Sequence, residues 1–358
     1  MVRGEAYFRD LVDGKRHSPV DRAVFILLLL CSFPYAAVMC LRSLLYRGGI
    51  LTAKRLPRPV VSVGNIVVGG TGKTPMTAWI AAYLMQKGKK VAVLTRGYGG
   101  SLEGEVAVVA DGSRRLLDPA DAGDEPCLLA DLLPGLIVVM GSDRYQAGCL
   151  AMELFSPDIF ILDDGFQHLK LRRDLDIVLL DAAKPKGNGF TFPAGLLREP
   201  FSALRRAHLT LFTRSKGTDP DGIVLPPGMG RCHAKHQLTG FSSGGSDSLH
   251  PFSELQGRRG LAFAGIADPE GFFNSLEAEG VSLAATLAFP DHSSYGEEEC
   301  AALARLKRSC RADFLITTAK DGVKLASASA GEFPFFVARL EMAFYESAPL
   351  EAALDKLL

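Results

Sequence analysis

Short runs of Val, Ile, Leu and Phe recur through the first two thirds of the chain, separated by turns and helical stretches. Because these runs are apolar at every position rather than at alternate positions, they predict strands buried on both faces of a sheet. Strands that alternate with helices indicate a doubly wound, mostly parallel α/β fold. The predicted strands are 60–63, 91–95, 106–109, 136–140, 159–162, 177–180 and 209–212, and the predicted helices are 75–87, 125–133 and 144–154.

The pattern changes between residues 215 and 257, where Gly, Pro and Ser become frequent, which predicts a linker or a loop-rich crossover. Beyond it, apolar runs and helical stretches alternate again and predict a second, smaller α/β lobe. The predicted parts of the chain are an N-terminal membrane-associated segment (1–50), an α/β core domain (51–225) and a C-terminal α/β lobe (226–358). Within the lobe, the predicted strands are 260–264, 281–287, 314–318 and 335–338, and the predicted helices are 269–278 and 296–310.

One segment near the N-terminus, residues 23–41, contains no charged side chain. Its length is close to the roughly 20 residues needed to cross a bilayer core. Pro34 and basic residues on both flanks argue against a simple span, because proline removes a helical hydrogen bond and symmetric charges set no orientation. We expect a helix or helical hairpin in the lipid headgroup layer, and a true span and a buried core helix are the alternatives.

The composition narrows the classes of partner. Lys and Arg together number 40, as do Asp and Glu, so no overall electric field favours nucleic acid and no nucleic-acid partner is expected. The seven cysteines are scattered without a CxxC pair, which predicts free thiols rather than a metal site. No feature of the sequence indicates a protein partner.

The stretch VSVGNIVVGGTGKTP, residues 61–75, lies between a predicted strand and a helix, where phosphate-binding loops lie. The usual GxxxxGK[ST] spacing requires glycine at the position of Val67, so the first half of the loop is expected to follow a different path. A glycine-rich turn and a helix N-terminus form an anion cradle, to which lysine and threonine add contacts to phosphate and Mg²⁺. The predicted nucleotide-binding residues are Gly69, Gly70, Thr71, Gly72, Lys73 and Thr74, with Thr74 also a metal ligand.

A second stretch, PDIFILDDGFQH at residues 157–168, brings Asp163 and Asp164 to the carboxyl end of a predicted strand. Ligands bind at this edge of open α/β sheets, and adjacent carboxylates can hold Mg²⁺. A helix cap or a turn is the alternative role for the pair. Arg96 in TRGYGG and Arg144 in GSDRY also follow strands, where a guanidinium group can clamp phosphate; ordinary surface arginines are the alternative.

Two further clusters carry candidate proton-transfer groups. Asp124 in GDEP heads a predicted helix, so it is either a helix N-cap or a functional carboxylate. Asp291 and His292 in FPDHSSY precede an acidic helix. They form either a surface pair or a group that assists a general base.

The motifs GNIVVGGTGKTP, TRGYGG, GDEP, GSDRY, LDDGFQH, PAGLLREP, FPDHSSY and TTAKDGVKL resemble, in order, those of the tetraacyldisaccharide 4′-kinase family. The resemblance implies a P-loop NTPase-type fold and extends from about residue 20 over nearly the whole chain. The family's own loop also lacks the first glycine, so Val67 fits its pattern. TTAKD differs from the family's TEKD by Ala319 in place of glutamate, which leaves the function of that glutamate open in this chain.

The resemblance implies phosphoryl transfer from MgATP to the 4′-hydroxyl of a tetraacylated glucosamine disaccharide 1-phosphate in lipid A biosynthesis. A lone aspartate is a weak base, so positioning and electrostatics would supply most of the catalysis. The implied roles are phosphate and metal contacts for Lys73 and Thr74, Mg²⁺ ligation for Asp163 and Asp164, general base for Asp124 with support from His292 held by Asp291, and phosphate or substrate contacts for Arg144, Gln167 and His168.

The acylated substrate stays in the bilayer, so a kinase acting on it is expected at a membrane surface. We expect peripheral or N-terminally anchored attachment to the inner membrane, with the catalytic lobes on the cytoplasmic face. A membrane-positioning ATPase and a soluble small-molecule kinase are the alternatives. Val68 stands where membrane-positioning ATPases have a signature lysine, which disfavours that class. The apolar segment 23–41 disfavours a soluble kinase.

Overall fold

The computed structural model describes residues 3–243, 248–291, 293–328 and 334–358. The helices are α1 (Arg3–Val12), α2 (Pro19–Arg47), α3 (Lys73–Gln86), α4 (Pro119–Ala122), α5 (Asp124–Leu132), α6 (Arg144–Phe155), α7 (Pro269–Ala278), α8 (Glu297–Cys310), α9 (Ala319–Ala328) and α10 (Ala348–Asp355). The strands are β1 (Val60–Asn65), β2 (Val91–Thr95), β3 (Ala107–Asp111), β4 (Ile137–Met140), β5 (Ile159–Asp163), β6 (Leu175–Asp181), β7 (Leu209–Thr213), β8 (Gly230–Ser243), β9 (Gly260–Ala264), β10 (Leu283–Ala288), β11 (Phe314–Thr318) and β12 (Phe336–Phe344).

Contacts within the chain divide it into two compact units, each assembled from separate stretches of sequence. Unit 1 contains Met1–Leu94, Arg144–Lys235 and Ala343–Leu358. Unit 2 contains Thr95–Asp143 and His236–Met342. The domain boundaries expected near residues 50 and 225 stay a prediction.

Unit 1 is built on a parallel sheet with the strand order β8-β7-β6-β1-β5-β2. In the central strand β1, Val61 is opposite Ile161 of β5 on one side and Leu175 of β6 on the other. Every residue of β1, β2 and β5 is buried, which explains why their sequences are mostly apolar. The prediction of a mostly parallel α/β fold is confirmed.

The carboxyl ends of β1 and β5 lie at the same edge of this sheet, because the two strands are parallel neighbours with Val63 opposite Asp163. The chain continues from β1 through residues 66–72 into α3. From β5 it continues directly into Asp164. The fold therefore brings the glycine loop and the paired aspartates to the edge where open α/β sheets bind ligands.

Unit 2 contains parallel strands in the order β10-β9-β11-β12. Helix α7 packs against β9 and β10, and α8 packs against β10. Phe272 and Phe273 of α7 are buried in one apolar cluster, and Phe263, Tyr295 and Leu315 are buried in another. The unit also holds the antiparallel pair β3–β4, and its helix α5 packs against α9.

The prediction of a linker or loop-rich crossover at 215–257 is wrong for residues Gly230–Ser243, which form the long strand β8. Within this strand Cys232, Ala234 and Leu238 are buried, and polar residues stand between them. An alternating strand of this kind has only half its positions apolar. The alternating pattern of β8 is therefore weak, and the glycines and serines that follow it led to the prediction of a loop.

Helix α2 begins with a capping box, in which the Asp21 N–H donates to Ser18 Oγ (3.1 Å) and the Ser18 N–H donates to the Asp21 carboxylate (3.2 Å). It continues through Pro34 as one helix to Arg47, so the helical-hairpin form of the prediction is wrong. The buried residues of α2 are Asp21 and Ser32, so the helix is not a core helix of this chain. By length and composition alone, α2 is the helix among the described residues that could cross a membrane.

Candidate functional site

The glycine loop turns into α3 through backbone conformations that favour glycine. Gly69 has φ 132° and Gly72, the N-cap of α3, has φ 83°. A Cβ atom built on Gly69 or Gly70 meets no atom within 4 Å. The outer side of this part of the loop is therefore open to a ligand, and the N-terminus of α3 follows directly.

The first half of the loop is held by main-chain pairing. Val67 forms an antiparallel bridge with Leu197, and the Val68 N–H donates to the Leu196 carbonyl (2.8 Å). A residue in such a bridge has an extended backbone and needs no glycine. The non-standard path expected from Val67 thus has a physical cause.

The second half of the loop is supported from within the sheet. The Asn65 side-chain amide donates to the hydroxyl of Thr71 (2.9 Å), and both residues are buried. The Asn65 carbonyl in turn accepts from the side-chain amide of Gln167 (2.9 Å). Gln167 therefore connects the segment after β5 to the base of the loop.

Asp163 is the last residue of β5 and is 2% exposed. Its carboxylate accepts a hydrogen bond from the hydroxyl of Thr77 in α3 (2.9 Å). Asp163 therefore lies against the helix that follows the glycine loop. Asp163 is a strand residue and caps no helix, whereas Asp164 after it stands in a turn, so the turn alternative considered for the pair applies to Asp164.

Asp164 follows in the left-handed region, with φ 51°. Its two oxygens lie 2.9 and 2.8 Å from one guanidinium nitrogen of Arg198, and Lys73 Nζ is 3.8 Å from Oδ1. Burial would raise the pKa of the Asp164 carboxyl, but the nearby charges of Lys73, Arg198 and Arg144 outweigh it and lower that pKa below its usual value. Asp164 is therefore ionised, within a group of cations.

The two remaining predicted residues of this site, Thr74 and Arg144, lie in the first turns of helices. Thr74 is the second residue of α3 and is half-buried. Arg144 is the first residue of α6 and is 5% exposed. The structure thus places Lys73, Asp163, Asp164 and Arg144 within unit 1, around one edge of its sheet.

Asp124 lies in unit 2 as the first residue of α5. The N-cap is Gly123, which has φ 87° and where a Cβ atom would lie 2.4 Å from the Tyr98 carbonyl oxygen. The N-cap alternative for Asp124 is therefore wrong. Its carboxylate is instead 3.5 Å from Nζ of Lys324 on α9, with the Asp124 side chain 11% exposed.

The second predicted proton-transfer cluster is partly described. Asp291 lies in unit 2, and its carboxylate is 3.2 Å from Nζ of Lys320. The other member of the cluster, His292, lies outside the described residues.

A profile of the tetraacyldisaccharide-1-P 4′-kinase family matches residues 24–358. The chain is 53% identical over 341 residues to the tetraacyldisaccharide 4′-kinase of Geobacter metallireducens, covering 95% of this chain and 100% of the relative. It is 51% identical over 353 residues to the enzyme of the same name from Pelobacter propionicus, covering 98% of each chain. The chain belongs to the tetraacyldisaccharide-1-P 4′-kinase family.

A solved structure is also similar over nearly the whole chain. The LpxK protein of Aquifex aeolicus, crystallised in complex with ATP, superposes with a TM-score of 0.79 at 33% identity. The match covers 93% of this chain and 99% of the Aquifex chain. The family, the P-loop kinase fold and the kinase class expected from the motifs are confirmed.

Three cations of this family member contact predicted site acids, although the sequence analysis assigned them no role. Arg198 contacts Asp164, Lys320 contacts Asp291 and Lys324 contacts Asp124. All three stand inside motifs that carry the resemblance, Arg198 in PAGLLREP and the two lysines in TTAKDGVKL. The sequence therefore showed a cation inside a family motif, but it did not show which acid that cation contacts.

The apolar helix α2 contacts the segment that carries Arg198. The Ser32 hydroxyl accepts a hydrogen bond from the Ala194 N–H (2.9 Å) and lies 2.8 Å from the Thr191 carbonyl oxygen. The Tyr35 hydroxyl donates to the Arg198 carbonyl (2.9 Å). Ser32 and Tyr35 of α2 therefore face the protein, while most of the helix's apolar side chains are exposed.

Proposed function

We propose that this chain transfers the γ-phosphoryl group of ATP to the 4′-hydroxyl of a tetraacylated glucosamine disaccharide 1-phosphate. Family membership supports the reaction, and the ATP complex of the Aquifex protein supports the donor. The observation that carries the proposal is the contact of Lys73 with Asp164 beside a glycine loop whose outer side is open. A phosphate-binding lysine and a metal-binding acid are the parts that phosphoryl transfer requires.

The residues of unit 1 fit a magnesium-bound triphosphate. Among the described residues no three His, Cys, Asp or Glu side chains are grouped to hold a metal ion by themselves. Mg²⁺ in kinases needs no such group, because it is held by one or two carboxylates together with substrate phosphates. Asp163, Asp164 and Thr74 would hold the ion, which when bound neutralises charge on the phosphoryl oxygens. Backbone N–H groups of residues 69–74, with Lys73 and Arg144, would bind the phosphates.

Asp124 is the proposed general base. In the transfer step the 4′-hydroxyl oxygen bonds to the γ-phosphorus, and the bond from phosphorus to the β,γ-bridging oxygen breaks. The hydroxyl proton passes to the Asp124 carboxylate, and ADP leaves. His292 would assist this proton transfer, with Asp291 holding His292. Lys73 would stabilise the charge that develops on the phosphates.

The substrate's acyl chains stay in a lipid bilayer, so the enzyme must work at its surface. Helix α2 supports this, because its apolar side chains are largely exposed and basic residues flank it. Amphipathic or apolar helices with flanking arginines bind anionic lipid surfaces. We therefore propose attachment to the inner membrane through α2, with both units on the cytoplasmic face.

Incubation of the full-length protein with γ-labelled ATP, Mg²⁺ and the acylated disaccharide 1-phosphate tests this function. We expect label on the lipid, and Lys73→Ala should reduce transfer by roughly 10²–10³-fold, the scale for losing one preorganised charge contact. ATP hydrolysis that proceeds without the glycolipid and is unchanged by adding it would favour the positioning ATPase. Full activity of a chain lacking residues 1–45 on a water-soluble acceptor would favour the soluble kinase.

A further inference from the structure

Helix α9 contacts two of the acids discussed above through two lysines. Lys320 Nζ is 3.2 Å from the Asp291 carboxylate, and Lys324 Nζ is 3.5 Å from the Asp124 carboxylate. Residues four apart lie on the same face of a helix, so one face of α9 contacts both acids. Helix α5, which carries Asp124, packs directly against α9 within unit 2.

The contact between Lys324 and Asp124 is buried. The side chain of Lys324 is 6% exposed and that of Asp124 is 11% exposed. An ammonium group in such a place is costly unless it is paired. Lys324 Nζ also forms an ion pair with Asp321 (3.2 Å) and lies 5.2 Å from the centroid of the Tyr295 ring.

Asp321 fixes Lys324 from behind. Its side chain is fully buried, and one carboxylate oxygen accepts hydrogen bonds from the Gly265 N–H (3.0 Å) and the Thr318 hydroxyl (2.6 Å). The other oxygen faces Lys324. Because Asp321 is held by these two donors, Lys324 has a fixed position from which to contact Asp124.

We propose that Lys324 is a positioning residue of the transfer reaction: its ammonium group keeps the Asp124 carboxylate ionised and fixes its orientation. This inference rests on the proposed role of Asp124 as the base. In phosphoryl transfer a strong base is not required, but the acceptor of the proton must be deprotonated and correctly placed. A buried aspartate meets that requirement at neutral pH when a cation lies beside it.

Without the Lys324 ammonium, Asp124 would share a buried region with the negative charge of Asp321, which favours the protonated, inactive form of the carboxyl. The other titratable groups described on the surrounding elements include Lys320 of α9, Glu125 of α5, Tyr295 and Asp121 of α4. Burial, followed by the charge of Asp321, raises the pKa of Tyr295, so this phenol stays neutral. Asp121 of α4 is half-buried and accepts a hydrogen bond from the Ser101 hydroxyl. Glu125, Tyr295 and Asp121 supply no positive charge, and the ammonium of Lys320 contacts Asp291 instead, so Lys324 is the cation placed beside Asp124.

The pH dependence of kcat/KM for labelled phosphoryl transfer by the full-length protein tests the proposal. In Lys324→Met the acidic limb of the profile should move up by about 1 to 3 pH units, the effect of removing an opposite charge beside a carboxylate. Activity lost near neutral pH should recover as the pH is raised. Lys324→Arg should return the limb close to its original position. Lys235→Met, the same exchange at an exposed residue of β8, is the matched control and should leave the profile unchanged.

An unmoved acidic limb in Lys324→Met, with activity reduced equally at every pH, would overturn the proposal and reduce Lys324 to a structural residue. If Lys324→Met does not fold, Lys324→Gln removes the charge while keeping a hydrogen-bond donor, and the same upward shift is expected. Asp124→Asn separates the two hypotheses. Near-normal transfer by Asp124→Asn would refute the base assignment itself, whereas an inactive Asp124→Asn with an unmoved limb in the Lys324 variants would refute only the positioning role.

Discussion

Asp164 in unit 1 and Asp124 in unit 2 differ in the charges that surround them. In unit 1, Asp164 lies beside two cations, with Lys73 at 3.8 Å and Arg198 at 2.8 Å. In unit 2, one ammonium, that of Lys324, is shared between Asp124 and Asp321. Unit 1 therefore has an excess of positive charge around its aspartate, which favours a polyphosphate. Around Asp124 in unit 2, one ammonium faces two carboxylates, which suits a proton acceptor better than a polyphosphate.

The two aspartates also differ in exposure. The side chain of Asp164 is 33% exposed, whereas that of Asp124 is 11% exposed. A carboxylate with two cationic partners keeps one of them when the other is displaced, so a metal ion can replace the guanidinium without leaving an uncompensated charge. A buried carboxylate that loses its cationic partner is left with an uncompensated charge. The structure thus pairs a replaceable contact in unit 1 with a fixed contact in unit 2.

The largest effect that this comparison predicts is on transfer by Asp124→Asn. Asparagine keeps the size of the side chain but cannot accept the proton, so kcat should fall by roughly 10²–10⁴-fold, the range for general acid–base catalysis. Binding of ATP, assigned to unit 1, should be unchanged in a nucleotide-binding measurement. Asp121→Asn changes a half-buried acid on the preceding helix; it serves as the control and should transfer label at the normal rate.

A smaller effect is expected on the pH dependence of stability in Asp164→Asn. The folded-state pKa of Asp164 is lowered, so the ionised carboxylate stabilises the fold above its ordinary pKa near 4, and this contribution is lost as the pH falls through the lowered value. Urea unfolding at pH 6 and pH 3 should therefore show a larger difference in free energy of unfolding between wild type and variant at pH 6.

Equal differences at both pH values would contradict a lowered pKa for Asp164. The matched control is Asp221→Asn, because Asp221 is an exposed loop acid. Its exchange should change the free energy of unfolding little at either pH.

The smallest predicted effect concerns the contact between α2 and the Arg198 segment. Tyr35→Phe removes the hydroxyl that donates to the Arg198 carbonyl, and should lower the free energy of unfolding by about 0.5–1.5 kcal/mol, the net value of one hydrogen bond. Tyr46→Phe on the same helix keeps the ring that lies under Arg42 and is the control. If both variants unfold at the same urea concentration as wild type, the Tyr35 contact contributes nothing to stability.

The parts of this structure that the sequence predicts are those determined by local patterns. Mostly apolar runs predicted β1, β2 and β5, because a strand buried on both faces has few polar positions before its carboxyl end. The order of strand, glycine loop and helix then placed Lys73 beside an acid at the end of β5, as the ion pair with Asp164 shows.

The parts that could not be predicted depend on contacts between distant positions. Strand β8 has alternating burial and lies among glycines and serines, so its pattern resembled a loop. Lys324 follows Asp124 far along the chain, and nothing local to either residue indicates their contact. Arg198 is likewise 34 residues from Asp164. Only the packing of the chain decides which acid each cation meets.

The bridge between Val67 and Leu197 bears on how this enzyme could be engineered. Restoring the glycine of the common nucleotide-loop motif at position 67 would remove a side chain suited to extended pairing. It would also add backbone freedom to the unfolded chain, at a cost of about 0.5–1 kcal/mol. Conformity to the widespread motif would therefore weaken this loop, and consensus design of its family should retain a branched residue at this position.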